Sequence, residues 1–149
     1  MKQIKTVGII LLTTVLLVGC GTKQPKMHDG SYTAQMLEYS NGWREYVTIT
    51  VENGEIVTTE YNAENASGFI KSWDNDYMKR MKLAKGTYPN EYTRLYAAQL
   101  TGQTKAPKID AITGASHSGE NFQRLSYAVV EQAIKGDSAI VLLSPSSLN

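Results

Sequence analysis

Between Tyr46 and Tyr61 the chain carries two alternating runs joined by Asn53-Gly54, and this limits its fold more than any other feature. Val47, Ile49 and Val51 fall on one side of the first run, with Thr48 and Thr50 on the other. A period of two belongs to a strand with one buried face. Ile56 to Tyr61 forms the second run. Asn-Gly suits a two-residue type I′ turn, because both central positions need positive φ. Such a loop sets Val51 opposite Ile56 and Thr50 opposite Val57, pairing apolar side chains across the ladder. Glu52 then meets Glu55, a mildly repulsive pair expected at the surface. A further strand is expected from about Ser31 to Tyr39, after Asp29-Gly30.

Beyond the hairpin the period changes. Phe69, Trp73, Tyr77 and Met81 recur four apart, which predicts a helical stripe interrupted by Gly86 and Pro89. Glu91 to Leu100 predicts a second helix carrying Tyr92, Leu95, Tyr96 and Leu100, ended by Gly102. Phe122, Leu125, Val129 and Ala133 predict a third, with Gly136 as its C-cap. Ile140 to Leu143 reads as a last short strand, and the Ser-Pro-Ser-Ser end as loose chain. Strands followed by helices, with no internal repeat, imply one α+β domain.

The third helix is preceded by Asp110-Ala111-Ile112-Thr113-Gly114-Ala115-Ser116-His117-Ser118. Amides at a helix N-terminus lack intrahelical acceptors and carry the positive end of the helix dipole, so phosphate is favoured there. Gly114 and Ala115 allow a bulky anion close to the main chain. Ser118 is expected as the N-cap, leaving Ser116 in the loop beside the helix mouth. An ordinary turn feeding a capped helix would use the same residues, and spacing alone does not separate the two readings.

These residues resemble the flavinylation motif of the FMN-binding domain family. That family includes flavin-carrying subunits of the sodium-pumping quinone reductase and related ferredoxin-linked complexes, and small exported lipoproteins. In its pattern an Asp is followed, two residues later, by Ser/Thr-Gly-Ala-Thr, and a dedicated flavin transferase joins FMN to the last hydroxyl as a phosphoester. Asp110, Thr113, Gly114 and Ala115 match, and Ser116 stands at the acceptor position in place of the usual Thr. The resemblance runs from about Asp29 to Gly136 and includes Asp29-Gly30-Ser31-Tyr32 and Gly42 to Ile49. Tyr61 to Gly68 and Tyr88 to Tyr92 look like the small-lipoprotein branch. It implies a curved antiparallel sheet with flanking helices, and FMN as cofactor. The implied cofactor-binding set is Asp110, Thr113, Gly114, Ala115, Ser116, His117 and Ser118. Asp110 would be read by the transferase, with Mg²⁺ belonging to that enzyme.

At the front, Met1-Lys2-Gln3-Ile4-Lys5 and an apolar run from Val7 to Val18 form a basic n-region and a short h-region. The run is shorter than the roughly 20 apolar residues of a membrane span. Leu17-Val18-Gly19-Cys20 resembles a bacterial lipobox, in which Cys20 is acylated and becomes the mature N-terminus. The expected organisation is a signal peptide over 1–19, a lipid-anchored tether over 20–28, an FMN-binding domain over 29–137 and a C-terminal extension over 138–149. The expected location is the outer side of the cell membrane. Cys20 is the sole cysteine, so intramolecular disulfides and thiol-pair redox chemistry are excluded. Losing Lys2 and Lys5 from fifteen basic residues leaves thirteen against fourteen acidic, a net charge of −1. With no basic stripe, nucleic acid is not an expected partner.

Trp43, Trp73, Tyr88, Tyr92 and Tyr96 could each stack on a flavin ring, although aromatics at helical spacing more often belong to a core. His28 and His117 are the only histidines, and no metal-ligand cluster surrounds them in sequence. No Ser-His-Asp spacing or carboxylate pair suggests a hydrolase. The combined expectation is an electron-carrying flavoprotein rather than an enzyme, exchanging electrons with a membrane oxidoreductase. A lipoprotein binding FMN or another anion reversibly, and a flavin-free surface module, are the competing readings.

Overall fold

Asn53 and Gly54 take φ values of 55° and 79°, the left-handed pair that a tight hairpin requires. They join β2 (Arg44–Glu52) to β3 (Glu55–Glu64). The coordinates are a computed structural model that describes residues 25–145. The expected signal segment, Cys20 and the start of the tether lie outside those residues, as do residues 146–149. Val51 faces Ile56 and exposed Glu52 faces exposed Glu55, in the expected register. One step further the register departs from expectation, because Thr50 pairs with Thr58 and not with Val57.

Val57 is thus an extra residue, a β-bulge, and its side chain is exposed. A bulge reverses the in–out alternation of the strand beyond it. Ile56 points into the core on one side of it, and Tyr61 and Ala63 do so on the other. An unbroken period of two would have buried Glu60 and Asn62 instead.

β1 (Gly30–Met36) pairs antiparallel with β2, and β4 (Val141–Leu143) pairs with β1. The sheet order is β3-β2-β1-β4. The β1–β4 pairing is parallel, so the sheet is mixed where an antiparallel one was expected. The chain reaches β4 only after crossing the sheet in a helix, which delivers the new strand in the same direction as β1. Met27 and His28, at the end of the expected tether, are already held by the domain. Met27 is buried, and the His28 N–H donates to the Ala133 carbonyl at 2.8 Å.

Three helices complete a single α+β domain. The stripe from Phe69 to Met81 is not one helix. A 3-10 turn at Lys71–Trp73 and α1 (Asn75–Lys85) are separated by Asp74, whose carboxylate caps α1 by accepting the Tyr77 N–H at 2.8 Å. Phe69 and Trp73 therefore precede α1 and are exposed, Trp73 at 65%. α2 (Pro89–Leu100) begins with Pro at N1, where its missing N–H costs nothing. It buries Tyr92, Tyr96 and Leu100 on β3. α3 (Ser116–Lys135) lies on β1 and β2, burying Phe122, Leu125, Val129 and Ala133 at the expected positions. It stops at Gly136, which is left-handed. The opposite sheet face is polar, with Thr33 bonded to Thr48, Tyr46 to Glu60, and Gln35 and Arg44 to Glu64.

Candidate functional site

The segment from Pro107 to Ala115 has no regular structure of its own and is held by side chains from two helices. Gln99 on α2 accepts the Asp110 N–H at 2.7 Å and donates to the Asp110 carbonyl at 3.1 Å. Gln123 on α3 accepts the Ile109 N–H at 2.6 Å and donates to the Pro107 carbonyl at 2.9 Å. The Tyr96 hydroxyl donates to the Ala115 carbonyl and accepts the Ile112 N–H. These bonds satisfy backbone groups that a segment without regular structure has no ladder or helix to pair. No sequence pattern marked Gln99 or Gln123 for this role. A glutamine carries a donor and an acceptor on one amide and can bond both groups of a single residue, but which one is reached depends on the fold.

Gly114 sits at φ 82° against the end of α1. A Cβ there would strike the Lys85 carbonyl oxygen and crowd the Thr87 methyl, so both conformation and space demand glycine. Ala115 is buried and serves as N-cap residue, without any side-chain bond to the helix. α3 thus starts at Ser116, three residues earlier than an N-cap at Ser118 implies. The Gly119 N–H is the first of the helix's amides to find a backbone acceptor, the Ala115 carbonyl. Those of Ser116, His117 and Ser118 are left over, and the helix has no acidic residue of its own in the first turn, where the Glu45 carboxylate of β2 meets Ser118. Ser116 and His117 are exposed at this uncapped end. Asp110 and Thr113 are exposed as well.

Ser118 is not the N-cap. Its side chain is buried and its hydroxyl donates to Glu45 Oε1 at 2.9 Å. Asn121 donates to the other Glu45 oxygen at 2.6 Å, and the Tyr61 hydroxyl donates to the Ser118 carbonyl at 2.8 Å. Glu45 is a charged residue at an inward position of β2, and this network meets its demand for donors. Burial pushes the Tyr61 phenol well above its ordinary 10.0, and the charge on Glu45 adds to the shift. Lys71 lines one depression with Glu45, Ser118 and Asn121, its Nζ 5.9 Å from the Trp43 ring centroid and 5.2 Å from that of Tyr77. Burial lowers its pKa, and the attraction of Glu45 opposes that shift.

Of the aromatics singled out in sequence, Tyr92 and Tyr96 belong to the core. Trp43 is half-buried beside Lys71, and Tyr88 is half-buried before α2, with Lys82 Nζ 5.2 Å from its ring centroid. Among the described residues, three concavities adjoin the motif turn. One of about 180 Å³ adjoins Ser116, one of about 70 Å³ adjoins His117 and Ser118, and one of about 290 Å³ adjoins Gly114.

No family model matches the sequence. The chain is 28% identical over 141 residues to the 15 kDa lipoprotein of Treponema pallidum (strain Nichols), covering 94% of this chain and 99% of that protein. A Clostridium perfringens protein of known crystal structure superimposes with a TM-score of 0.76 at 29% identity, over 80% of this chain and 99% of that one. Among the described residues no helix is long and apolar enough to cross a membrane. The chain is related to a bacterial lipoprotein.

Proposed function

We propose that this protein is a lipid-anchored, extracytoplasmic flavoprotein that carries FMN on Ser116 and relays electrons at the membrane surface. The observation that carries the reading is the placement of an exposed hydroxyl on the first residue of an uncapped 20-residue helix, behind a turn held by Tyr96, Gln99 and Gln123. The resemblance of Asp110 and Thr113 to Ser116 to the flavinylation motif supplies the identity of the anion. The residues fit the group. Three free amides and the dipole favour a phosphate, and Gly114 keeps the turn tight beneath it.

In attachment, Ser116 Oγ would bond to the flavin-side phosphorus of a flavin dinucleotide held by the transferase and give up its proton to solvent. The pyrophosphate P–O bond would break, and the nucleoside monophosphate would leave with the electron pair, so that the chain gains FMN less one water. The serine hydroxyl is a primary alcohol with less steric shielding than threonine, so the substitution at the acceptor position keeps the chemistry available. Asp110 is exposed, and its carboxylate accepts no hydrogen bond among the described residues, which leaves it available to the Mg-dependent transferase. FMN, once attached, supplies the electron-accepting ring, and the protein supplies attachment, orientation and electrostatics.

Anchoring follows from the leader and Cys20, supported by a relative that is a lipoprotein and by a match covering 94% of the chain. A covalent cofactor suits this location, because occupancy no longer depends on scarce external flavin. The lipid holds the unit within a tether's length of a membrane oxidoreductase.

The test is to produce the full chain in cells with and without a flavin transferase, then to measure intact mass and in-gel flavin fluorescence. The expected result is a transferase-dependent mass gain of FMN less water, mapped to Ser116 by peptide fragmentation and abolished by Ser116→Ala. Flavin that filters away after denaturation would favour reversible binding instead. An unmodified Ser116 in cells that flavinylate other proteins overturns the proposal.

A further inference from the structure

We infer that the cleft between α1 and the motif turn is the seat of the isoalloxazine ring, an inference that rests on FMN attachment at Ser116. α1 is the unfinished part of the fold. None of its eleven residues is fully buried, Leu83 is 90% exposed, and Tyr77 and Met81 are only half-covered. A helix this short is marginal by itself and ordinarily depends on burying an apolar stripe. The stripe of α1 faces a cleft of about 290 Å³ lined by Tyr77, Arg80, Met81, Ala84, Lys85 and Gly114.

Reach and size select this cleft. Gly114, two residues from the attachment oxygen, forms part of its wall, and close approach of the Lys85 carbonyl to Gly114 joins α1 to the turn. Small-ligand pockets begin at about 300 Å³. The 70 Å³ depression beside His117 is far below that, and the 180 Å³ one beside Ser116 offers no aromatic and carries Glu120. A fourth cleft of about 270 Å³, between β3 and α2, includes no residue of the motif.

The lining suits a large, polarisable ring that gains negative charge on reduction. Tyr77 offers an aromatic face and Met81 a soft thioether. Arg80 and Lys85 supply positive charge, and Lys71 stands 5.2 Å from the Tyr77 ring centroid. Occupation would cover the cleft-facing side of α1 at Tyr77, Met81 and Ala84, while Leu83 lies outside the cleft.

The experiment uses full-length flavinylated protein, with occupancy of Ser116 established by intact mass before any other reading. In wild type, flavin fluorescence should be several-fold dimmer than in the same protein denatured, because Tyr77 quenches a stacked ring. Tyr77→Ala and Met81→Glu should each recover most of that loss at unchanged occupancy. Amide hydrogen exchange in residues 75–85 should be several-fold slower in the flavinylated protein than in Ser116→Ala. Both readings are required. Full occupancy with unaltered fluorescence in the two variants, or with unaltered exchange in α1, overturns the ring assignment while leaving the attachment intact. Absence of flavin from Ser116 overturns both.

Discussion

The Tyr96 hydroxyl donates to the Ala115 carbonyl at 3.0 Å and, on its other side, accepts the Ile112 N–H at 3.0 Å. One buried core residue of α2 thereby holds both ends of the turn that presents Ser116. Gly119 on α3 packs against the same hydroxyl so closely that a Cβ at that position would collide with it. Core packing and site geometry are joined at this atom.

Tyr96→Phe keeps the ring in the core and removes only the hydroxyl. The Ala115 carbonyl retains the Gly119 N–H as donor, but the Ile112 N–H loses its bond. The expected loss is about 1–3 kcal/mol. Urea denaturation should show this as a lower midpoint at an unchanged slope. Exchange of the Ile112 amide should accelerate more than that of strand amides.

Gly114→Ala meets two obstacles, the left-handed backbone and the Lys85 carbonyl oxygen. A loss of more than about 1 kcal/mol is expected, since the turn or the end of α1 must shift. Thermal unfolding measures it. Flavin incorporation at equal protein level should fall as well, whereas Gly42→Ala, with open space at its own positive φ, should leave incorporation unchanged.

Ser118→Ala takes one donor from buried Glu45 and leaves Asn121 as its partner among the described residues. Bonds to charged groups are worth about 1.5–3 kcal/mol, and a loss in that range is expected at neutral pH. Glu45→Gln in the same background should recover part of it, because a neutral amide tolerates burial better. A double-mutant cycle by chemical denaturation checks this coupling.

Alkaline pH should destabilise the fold with a definite sign. Burial raises the Tyr61 and Tyr92 phenols above their ordinary 10.0. Their contribution is fully present below pH 10.0 and is lost as pH rises above it, because the unfolded chain ionises first. Lys71 acts oppositely. Its folded pKa is lowered from 10.5, so stability rises with pH between that lowered value and 10.5. Each group contributes a slope of at most about 1.4 kcal/mol per pH unit. Denaturation at a series of pH values should show a gentle rise followed by a steep fall. Tyr61→Phe should blunt the fall, and Lys71→Met should remove the rise.

Local chemistry was legible wherever a residue's neighbours in sequence decide its state. Asn53-Gly54 marked a tight turn because few residues accept two successive left-handed conformations. Phe122, Leu125, Val129 and Ala133 marked the buried stripe of α3, and Gly136 its end. The stripe from Phe69 to Met81 misled, because fourfold spacing says nothing of an Asp74 that stops one helical turn and caps the next.

The sequence by itself determined the α+β class, the turn of the first hairpin, and the buried stripe and C-terminal end of α3. Each follows from backbone preference and side-chain period over a few residues. Tertiary structure alone decided that Val57 would bulge, that β4 would pair parallel to β1, and that Ser118 would turn inward to Glu45. It also decided which glutamines hold the motif turn. Those outcomes join residues far apart along the chain, where the cost of an unpaired buried group is settled by whichever partner the fold brings within reach.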